Sequence, residues 1–255
     1  MTLKARLRSG KLTIGSWITI GNLSVAEIMA RAGFDWLAID MEHSAITLDK
    51  AQELIQVIGL CGTPALVRVG ENDPVVIKRV MDAGAQGVIV PMINSARDAL
   101  AAVRAVKYPP MGTRGVGLAR AQGYGLGFSA YAGWVNRGSI VIAQIEHITA
   151  VDNLDEILAV DGIDAFIVGP YDLSASMGIP GKFEDLRVKN ALSRIMRTAK
   201  VHKAVAGFHV IPPNAKEVLK KVREGYRFVG FSLDTLFLGA KCRDEFSLLK
   251  DGLKR

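Results

Sequence analysis

Cysteine is scarce in this sequence. Cys61 and Cys242 are the only two in 255 residues, and they form neither a Cys-x-x-Cys pair nor a metal-finger spacing. This scarcity argues against a disulfide scaffold or a structural zinc site and favours a reducing compartment. No stretch reaches the roughly 18 apolar residues that cross a bilayer, and the first residues lack the apolar core of a signal peptide. We therefore expect a cytoplasmic protein without membrane association.

The charge pattern does not indicate a nucleic-acid partner. The net charge is +7, but many basic residues lie in helix-like stretches such as "KEVLKKVREGYR" (216–227), which is typical of a solvated helix face. No arginine-glycine tract or interleaved aromatic–basic pattern is present. A barrel that binds RNA or a protein through this surface is a rival that predicts salt-sensitive binding and no metal dependence. A modest positive potential favours small anionic substrates.

Eight short apolar runs predict eight strands. Several are apolar on both faces, as expected of parallel strands buried on both sides. The runs are "TIGSWIT" from Thr13, "DWLAID" from Asp35, "PALVRV" from Pro64, "QGVIVPM" from Gln86, "IVIAQIE" from Ile140, "DAFIVGP" from Asp164, "AVAGFHV" from Ala204 and "RFVGFSL" from Arg227.

Amphipathic segments between the strands predict helices with cap residues at their starts and glycines at their ends. "DPVVIKRVMDAG" has Pro74 in the first turn and Gly84 at the stop, and "TAVDNLDEILAV" reads as one helix. Eight strand–helix units in 255 residues predict an α/β fold, a (β/α)8 TIM barrel forming a single domain over 1–255. A doubly wound open sheet is the alternative, although no Gly-x-Gly-x-x-Gly follows the first strand.

One segment breaks the regular alternation. Residues 108–139 contain eight glycines and the pair Pro109–Pro110, with Arg114 and Arg120 in "GTRGVGLAR". A connection this long is usually functional or partly structured. "SAYAGWVNR" within it is a candidate short helix. Because the segment joins a helix to a strand, its ends belong on the barrel face away from an active site. The segment must therefore extend along the barrel to the active-site face, or reach a neighbouring subunit, to contact substrate.

Ionisable side chains gather at the predicted carboxyl ends of the strands, where active sites of such barrels lie. The set comprises Asp40, Glu42 and His43 after the second strand, Arg68 in the third, Gln144 and Glu146 at the fifth, and Asp172 after the sixth. Glu146 and Asp172 belong to neighbouring strands about 4.8 Å apart. Two such carboxylates repel each other unless a cation lies between them, and oxygen ligands suit Mg²⁺ or Mn²⁺. The alternative is that both acids cap the following helices.

Arg68 and His43 have both functional and structural interpretations. Arg68 can hold a carboxylate or carbonyl oxygen with two bonds, or it can form a buried ion pair with Asp40 or Glu42. His43 beside these acids is a candidate general base. His209 at the seventh strand end is expected to line the pocket, whereas His147 is expected to point away from Glu146 and His202 to lie at the surface.

The strand ends also lack two kinds of group. None carries a lysine, which disfavours a Schiff-base aldolase. The loops "HVIPPN" and "SLDTLF" lack a glycine-rich phosphate cradle, which disfavours a phosphorylated substrate.

The motifs in chain order resemble those of the metal-dependent class II pyruvate aldolases, the 4-hydroxy-2-oxoheptanedioate aldolase type, with the citrate lyase beta chain as a more distant relative. They are "IDMEH", "VRV" followed by "NDP", "MDAGAQGVIVPM", "RGVG", "QIE" and "VGPYDLSASMG". The similarity runs from about Gly15 to Thr235. The sequence departs from the family pattern at Met41, Gly70, Glu71, "LARAQGYG" and "GFHVIPP", positions that the resemblance places around the aldehyde end of the substrate.

The resemblance implies reversible cleavage of a 4-hydroxy-2-oxo acid to pyruvate and an aldehyde through a metal-stabilised enolate, in aromatic compound catabolism. It implies a trimer-based hexamer whose last helix swaps between subunits. A citrate-lyase-like enzyme acting on a malyl- or citramalyl-coenzyme A thioester is the alternative, with Arg114 and Arg120 as its basic entrance.

The resemblance also assigns roles to individual residues. Glu146 and Asp172 would hold a divalent metal, Mg²⁺ or Mn²⁺ with Co²⁺ as a third option. Arg68 would bind the keto oxygen, and His43, supported by Asp40 and Asp82, would transfer protons through water. Gln144 would orient the metal shell. The backbone amides around Gly169, Pro170, Tyr171 and Asp172 would bind the pyruvate carboxylate.

Overall fold

The eight apolar runs form eight parallel strands that close into a barrel in chain order. The computed structural model of the chain describes residues 1–253. The strands are β1 (Thr13–Ile18), β2 (Trp36–Asp40), β3 (Ala65–Arg68), β4 (Gly87–Val90), β5 (Ile140–Ile145), β6 (Ala165–Val168), β7 (Ala206–Val210) and β8 (Phe228–Leu233). β8 pairs with β1, so the barrel is closed. The predicted (β/α)8 TIM barrel is confirmed and the open sheet was wrong.

Helices follow the strands and cover the outside of the barrel. They are α1 (Leu3–Arg8), α2 (Leu23–Arg31), α3 (Leu48–Leu60), α4 (Pro74–Asp82), α5 (Ala96–Val106), α6 (Phe128–Gly138), α7 (Ile148–Asp152), α8 (Leu154–Leu158), α9 (Pro170–Ser176), α10 (Leu186–Val201), α11 (Ala215–Arg223) and α12 (Asp234–Leu253). The one helix predicted after β5 is two, because Asn153 departs from helical geometry between α7 and α8.

Apolar side chains fill the interior of the barrel. Trp36 stacks on Phe228 with ring centroids 4.3 Å apart. Gly15 faces Trp36, and a Cβ at Gly15 would lie 2.0 Å from that ring, so only glycine fits there. A second apolar layer lies between the strands and the helices. Burial of apolar surface in both layers is the main stabilising contribution.

Residues 108–139 lie against the amino-terminal side of the barrel. The candidate helix within this segment is confirmed as α6. Buried Arg114 forms an ion pair with Asp82 at the end of α4, and its guanidinium lies over the rings of Tyr108 (4.9 Å) and Tyr131 (5.5 Å). These contacts fix the segment to the barrel. Several of its apolar side chains remain exposed: Val116, Leu118, Tyr124 and Leu126.

α12 contacts the barrel mainly through its first turn. Phe237 packs against Phe34 and Phe231, with ring centroids 6.2 and 5.0 Å away. The rest of the helix exposes apolar side chains, namely Leu238, Phe246, Leu248, Leu249 and Leu253. Among residues 1–253, no helix is both long and apolar enough to span a bilayer.

Candidate active site

A cavity of about 370 Å³ lies at the carboxyl ends of the strands and brings most of the predicted residues together. Its lining comprises Trp17, His43, Arg68, Gln144, Ile167, Val168, Gly169, Pro170, Tyr171, Asp172, His209 and Ile211. Barrel closure assembles this set, because residues at equivalent strand ends converge on the barrel axis.

Arg68 is fixed by acids and by an aromatic ring. Its Nε and Nη2 donate to the two carboxylate oxygens of Asp40 at 3.0 and 2.6 Å, and its Nη1 lies 3.3 Å from Glu42. Its guanidinium lies 4.4 Å from the centroid of the Trp17 ring. Burial alone would raise the pKa of Asp40, but the hydrogen bond and charge of Arg68 outweigh it and lower that pKa. The predicted ion pair is therefore present, and Arg68 still lines the cavity.

Glu42 is a carboxylate of the site whose pKa is raised. Burial raises its pKa to about 7, and the nearby charge of Glu146 acts in the same direction while Arg68 opposes both. The sequence indicated Glu42 as a possible ion-pair partner for Arg68 and as an acid beside His43. The structure places it between Arg68 and His43, whose Nε2 lies 3.7 Å from the Glu42 carboxylate. Glu42 can therefore hold a proton near neutral pH.

The raised pKa of Glu42 predicts a pH-dependent loss of stability. Because the folded pKa exceeds the ordinary value of 4.5, the folded protein retains a proton that the unfolded chain releases. Stability should therefore fall as pH rises from about 4.5 through about 7. We expect Glu42→Gln to abolish this loss, so that its Tm declines less than the wild-type Tm between pH 5 and pH 8 with a chelator present. Exposed Glu156→Gln is the control. Equal declines in wild type and E42Q would contradict the prediction.

Glu146 is buried and oriented by two donors. The Met92 amide donates to its Oε1 at 2.7 Å, and the Gln144 side-chain amide donates to its Oε2. Burial raises the pKa of Glu146, and the charge of Asp172 adds to the effect. Gln144 thus contacts the carboxylate that the sequence assigned to a metal.

The carboxylates of Glu146 and Asp172 converge at Gly169. A Cβ on Gly169 would lie 3.1 Å from Glu146 Oε2 and 3.7 Å from Asp172 Oδ2, so glycine leaves the space between the two acids free. Paired carboxylate oxygens suit Mg²⁺ or Mn²⁺, which bind few protein ligands and keep waters or substrate. No group of three or more His, Cys, Asp or Glu side chains gathers as a metal site in residues 1–253. Two carboxylates are therefore the donor set that the chain offers here, and it fits such an ion.

Two of the four positions in the turn after β6 have no backbone N–H free for a carboxylate. The Gly169 amide already donates to the Ile145 carbonyl at 3.2 Å, and Pro170 has no N–H. Binding of the pyruvate carboxylate by amides around Gly169 to Asp172 therefore stays a prediction, and these two positions do not supply its donors. Tyr171 and Asp172, in the first turn of α9, remain as the candidate carboxylate donors.

The histidines have distinct environments. His43 has a half-exposed side chain, and its backbone amide donates to Asp40 at 3.1 Å. His209 packs on Trp17 with ring centroids 5.0 Å apart. His147 caps α7 by accepting from the Thr149 amide, and His202 bonds Asp155 on the outside of the barrel.

Asp82 and the two arginines of the long segment lie apart from the cavity. Asp82 ends α4, on the opposite side of the barrel from the strand ends, and pairs with Arg114. Arg120 donates to the Ala83 carbonyl at 2.9 Å. The structure therefore does not bring Asp82 to His43 within one chain. It also does not place the proposed basic entrance for coenzyme A at this cavity.

Two contributors were not predicted from the sequence. Trp17, one residue before the end of β1, lines the cavity, and the Met92 amide orients Glu146. A tryptophan at a strand end was the available signal for Trp17. No local signal marks a backbone amide that acts on a side chain 54 residues away.

A family model described as HpcH/HpaI aldolase/citrate lyase matches residues 13–238, and the chain belongs to that family. It is a class II pyruvate aldolase, a carbon–carbon lyase. The 2-keto-3-deoxy-L-rhamnonate aldolase of Escherichia coli (strain K12) is 36% identical over 251 residues, which cover 98% of this chain and 93% of that protein.

Solved structures agree with this assignment. An HpcH/HpaI aldolase/citrate lyase family protein from Burkholderia cenocepacia J2315 superimposes with a TM-score of 0.92 at 32% identity, covering 97% of this chain and 98% of that one. A citrate lyase beta subunit from M. tuberculosis, solved with oxaloacetate and magnesium, has a TM-score of 0.59 at 15% identity, covering 91% of this chain and 95% of that one. The latter likeness is one of fold alone.

Proposed function

We propose that the chain reversibly cleaves a 4-hydroxy-2-oxo acid of the 2-keto-3-deoxy sugar acid class to pyruvate and an aldehyde. The observation that carries this proposal is the convergence of Glu146 and Asp172 at Gly169, close to a fixed Arg68. The similarity to 2-keto-3-deoxy-L-rhamnonate aldolase supports the sugar acid class over the heptanedioate of aromatic catabolism.

Glu146 and Asp172 would hold the divalent metal, Mg²⁺ or Mn²⁺ with Co²⁺ as a third option. When bound, such an ion supplies Lewis-acid stabilisation of negative charge on the 2-keto oxygen. Gln144 orients Glu146 for this role, and the Met92 amide fixes its other oxygen.

The remaining polar groups position the substrate and move its proton. Arg68 donates to the 2-keto oxygen and stabilises its developing charge, while Asp40 keeps the guanidinium in place. The amides of Tyr171 and Asp172 bind the C1 carboxylate. His43, adjacent to Glu42, accepts the 4-hydroxyl proton through water. The C3–C4 bond then breaks, its electron pair forms the enolate of pyruvate, and protonation at C3 completes pyruvate as the aldehyde leaves.

We further propose a trimer-based hexamer in which the last helix swaps between subunits. The apolar residues exposed along α12 and on 116–126 support it, because monomers rarely expose such extended apolar surface. Asp82 lies too far around the barrel to assist His43 of its own chain. A role for Asp82 in proton transfer therefore requires a second subunit.

Exchange of the C3 protons of pyruvate tests the proposed function. In D2O with Mg²⁺ the protein should catalyse deuterium incorporation into the pyruvate methyl group, followed by NMR, and a chelator should stop it. Full exchange in chelated protein, or no exchange with metal, would refute the proposal. Thermal shift with pyruvate or oxalate plus Mg²⁺, against malyl- or citramalyl-coenzyme A, separates it from the coenzyme A alternative.

A further inference from the structure

Met92 has a left-handed backbone, with a φ of 52°, in the turn that follows β4. Residues other than glycine rarely adopt this conformation, because their Cβ crowds the backbone. The Met92 side chain is 49% exposed, so its burial does not offset this cost. The conformation does set the direction of the Met92 amide, which donates to Glu146 Oε1 at 2.7 Å. A strained backbone at a candidate active site is a reason to look for a function.

The turn that contains Met92 is held on both sides. Pro91 and Ile93, its chain neighbours, are buried. The Asn94 carbonyl accepts from the side-chain amide of Asn153 at 2.8 Å. Asn153 is the residue at which the helix after β5 breaks, so this bond ties the turn after β4 to the segment after β5. Strained residues persist where the surrounding structure over-determines them, as it does here.

The Met92 amide sets the rotation of the Glu146 carboxylate. The last torsion of a glutamate side chain is broad, so rotamer preference alone does not fix the carboxylate plane. With Oε1 held by the amide, Oε2 is the oxygen that borders the space at Gly169. A Cβ on Gly169 would lie 3.1 Å from this Oε2 and 3.7 Å from Asp172 Oδ2. An amide is also a neutral donor, so it orients the carboxylate without adding a positive charge that would repel a cation.

We propose that the left-handed backbone of Met92 is a positioning element that sets the affinity of Glu146 and Asp172 for a divalent cation. It directs the amide that turns Glu146 Oε2 toward Asp172, and hydrogen bonds of this kind to a ligating carboxylate strongly affect metal affinity. This inference rests on the proposed function, which assigns the cation to these two acids. It predicts that the backbone conformation of residue 92, and not its side chain, is what the site requires.

The test measures the Mn²⁺ dissociation constant by electron paramagnetic resonance, on folded protein without substrate. Glycine and asparagine tolerate a left-handed backbone, whereas β-branched valine does not. We expect Met92→Val to weaken Mn²⁺ binding about ten-fold, and Met92→Gly and Met92→Asn to stay within about three-fold of wild type. Lys203→Val is the matched control, because Lys203 is exposed, also has a φ of 52°, and precedes β7 at its amino-terminal end.

Wild-type affinity in M92V would overturn the inference, and so would equal losses in M92V, M92G and M92N, which would implicate the side chain. A loss in K203V as large as that in M92V would also overturn it. If M92V does not fold, Asn153→Ala replaces it. N153A releases the Asn94 carbonyl and should weaken Mn²⁺ binding at least about three-fold, and unchanged binding would again overturn the inference. Failure of the proposed function is separate, since wild-type protein would then not exchange the pyruvate protons at all.

Discussion

Glu146→Gln and Asp172→Asn should each lower turnover by about a thousand-fold or more with saturating Mn²⁺. Each change keeps the side-chain shape and removes one charge from the pair that meets at Gly169. The remaining carboxylate would bind the ion weakly, and the charge of the enolate would lose its main partner. Mn²⁺ binding measured by electron paramagnetic resonance should weaken in parallel with activity.

The matched control for these variants is Glu156→Gln. Glu156 is an exposed acid on α8, in the same part of the chain. It should keep wild-type turnover and Mn²⁺ affinity, which shows that removing a negative charge is not in itself harmful. Undiminished turnover in both E146Q and D172N would contradict the prediction that these two acids bind the metal.

Arg68→Lys should lower kcat/KM by about 10²–10³-fold, although it keeps the positive charge. Lysine offers a point charge without the planar fork, so it cannot bind both oxygens of Asp40 and also reach the substrate. The loss should fall mainly in kcat, because Arg68 acts on charge that develops during the reaction.

Arg68→Ala should also destabilise the fold, by about 3–5 kcal/mol, because it leaves the Asp40 carboxylate buried without its cation. Adding Asp40→Asn should recover much of this stability, as measured by denaturant unfolding, without restoring activity.

Arg194→Lys is the control for Arg68→Lys, since Arg194 forms an exposed ion pair with Asp152 at 2.8 Å. Wild-type kcat/KM in R68K would show that Arg68 is structural only.

Most of the fold could be predicted from the sequence because its signals are local. Apolar runs bounded by caps and glycines gave all eight strands. The order of strands in a parallel barrel then predicts that Glu146 and Asp172 follow neighbouring strands, and β5 does pair with β6. The prediction failed where one local pattern is compatible with either one helix or two. At Asn153 the amphipathic period continues, but the helix breaks.

The sequence by itself determined the barrel and the identity of the acids at its strand ends, since periodicity and chain order fix which residues meet at one face. Only the tertiary structure decided which of them touch. It joined Arg68 to both Asp40 and Glu42, set Trp17 beside His209, and fixed Arg114 to Asp82 on the far side. These contacts depend on side-chain direction and on the path of a 32-residue connection, neither of which is encoded by a local pattern.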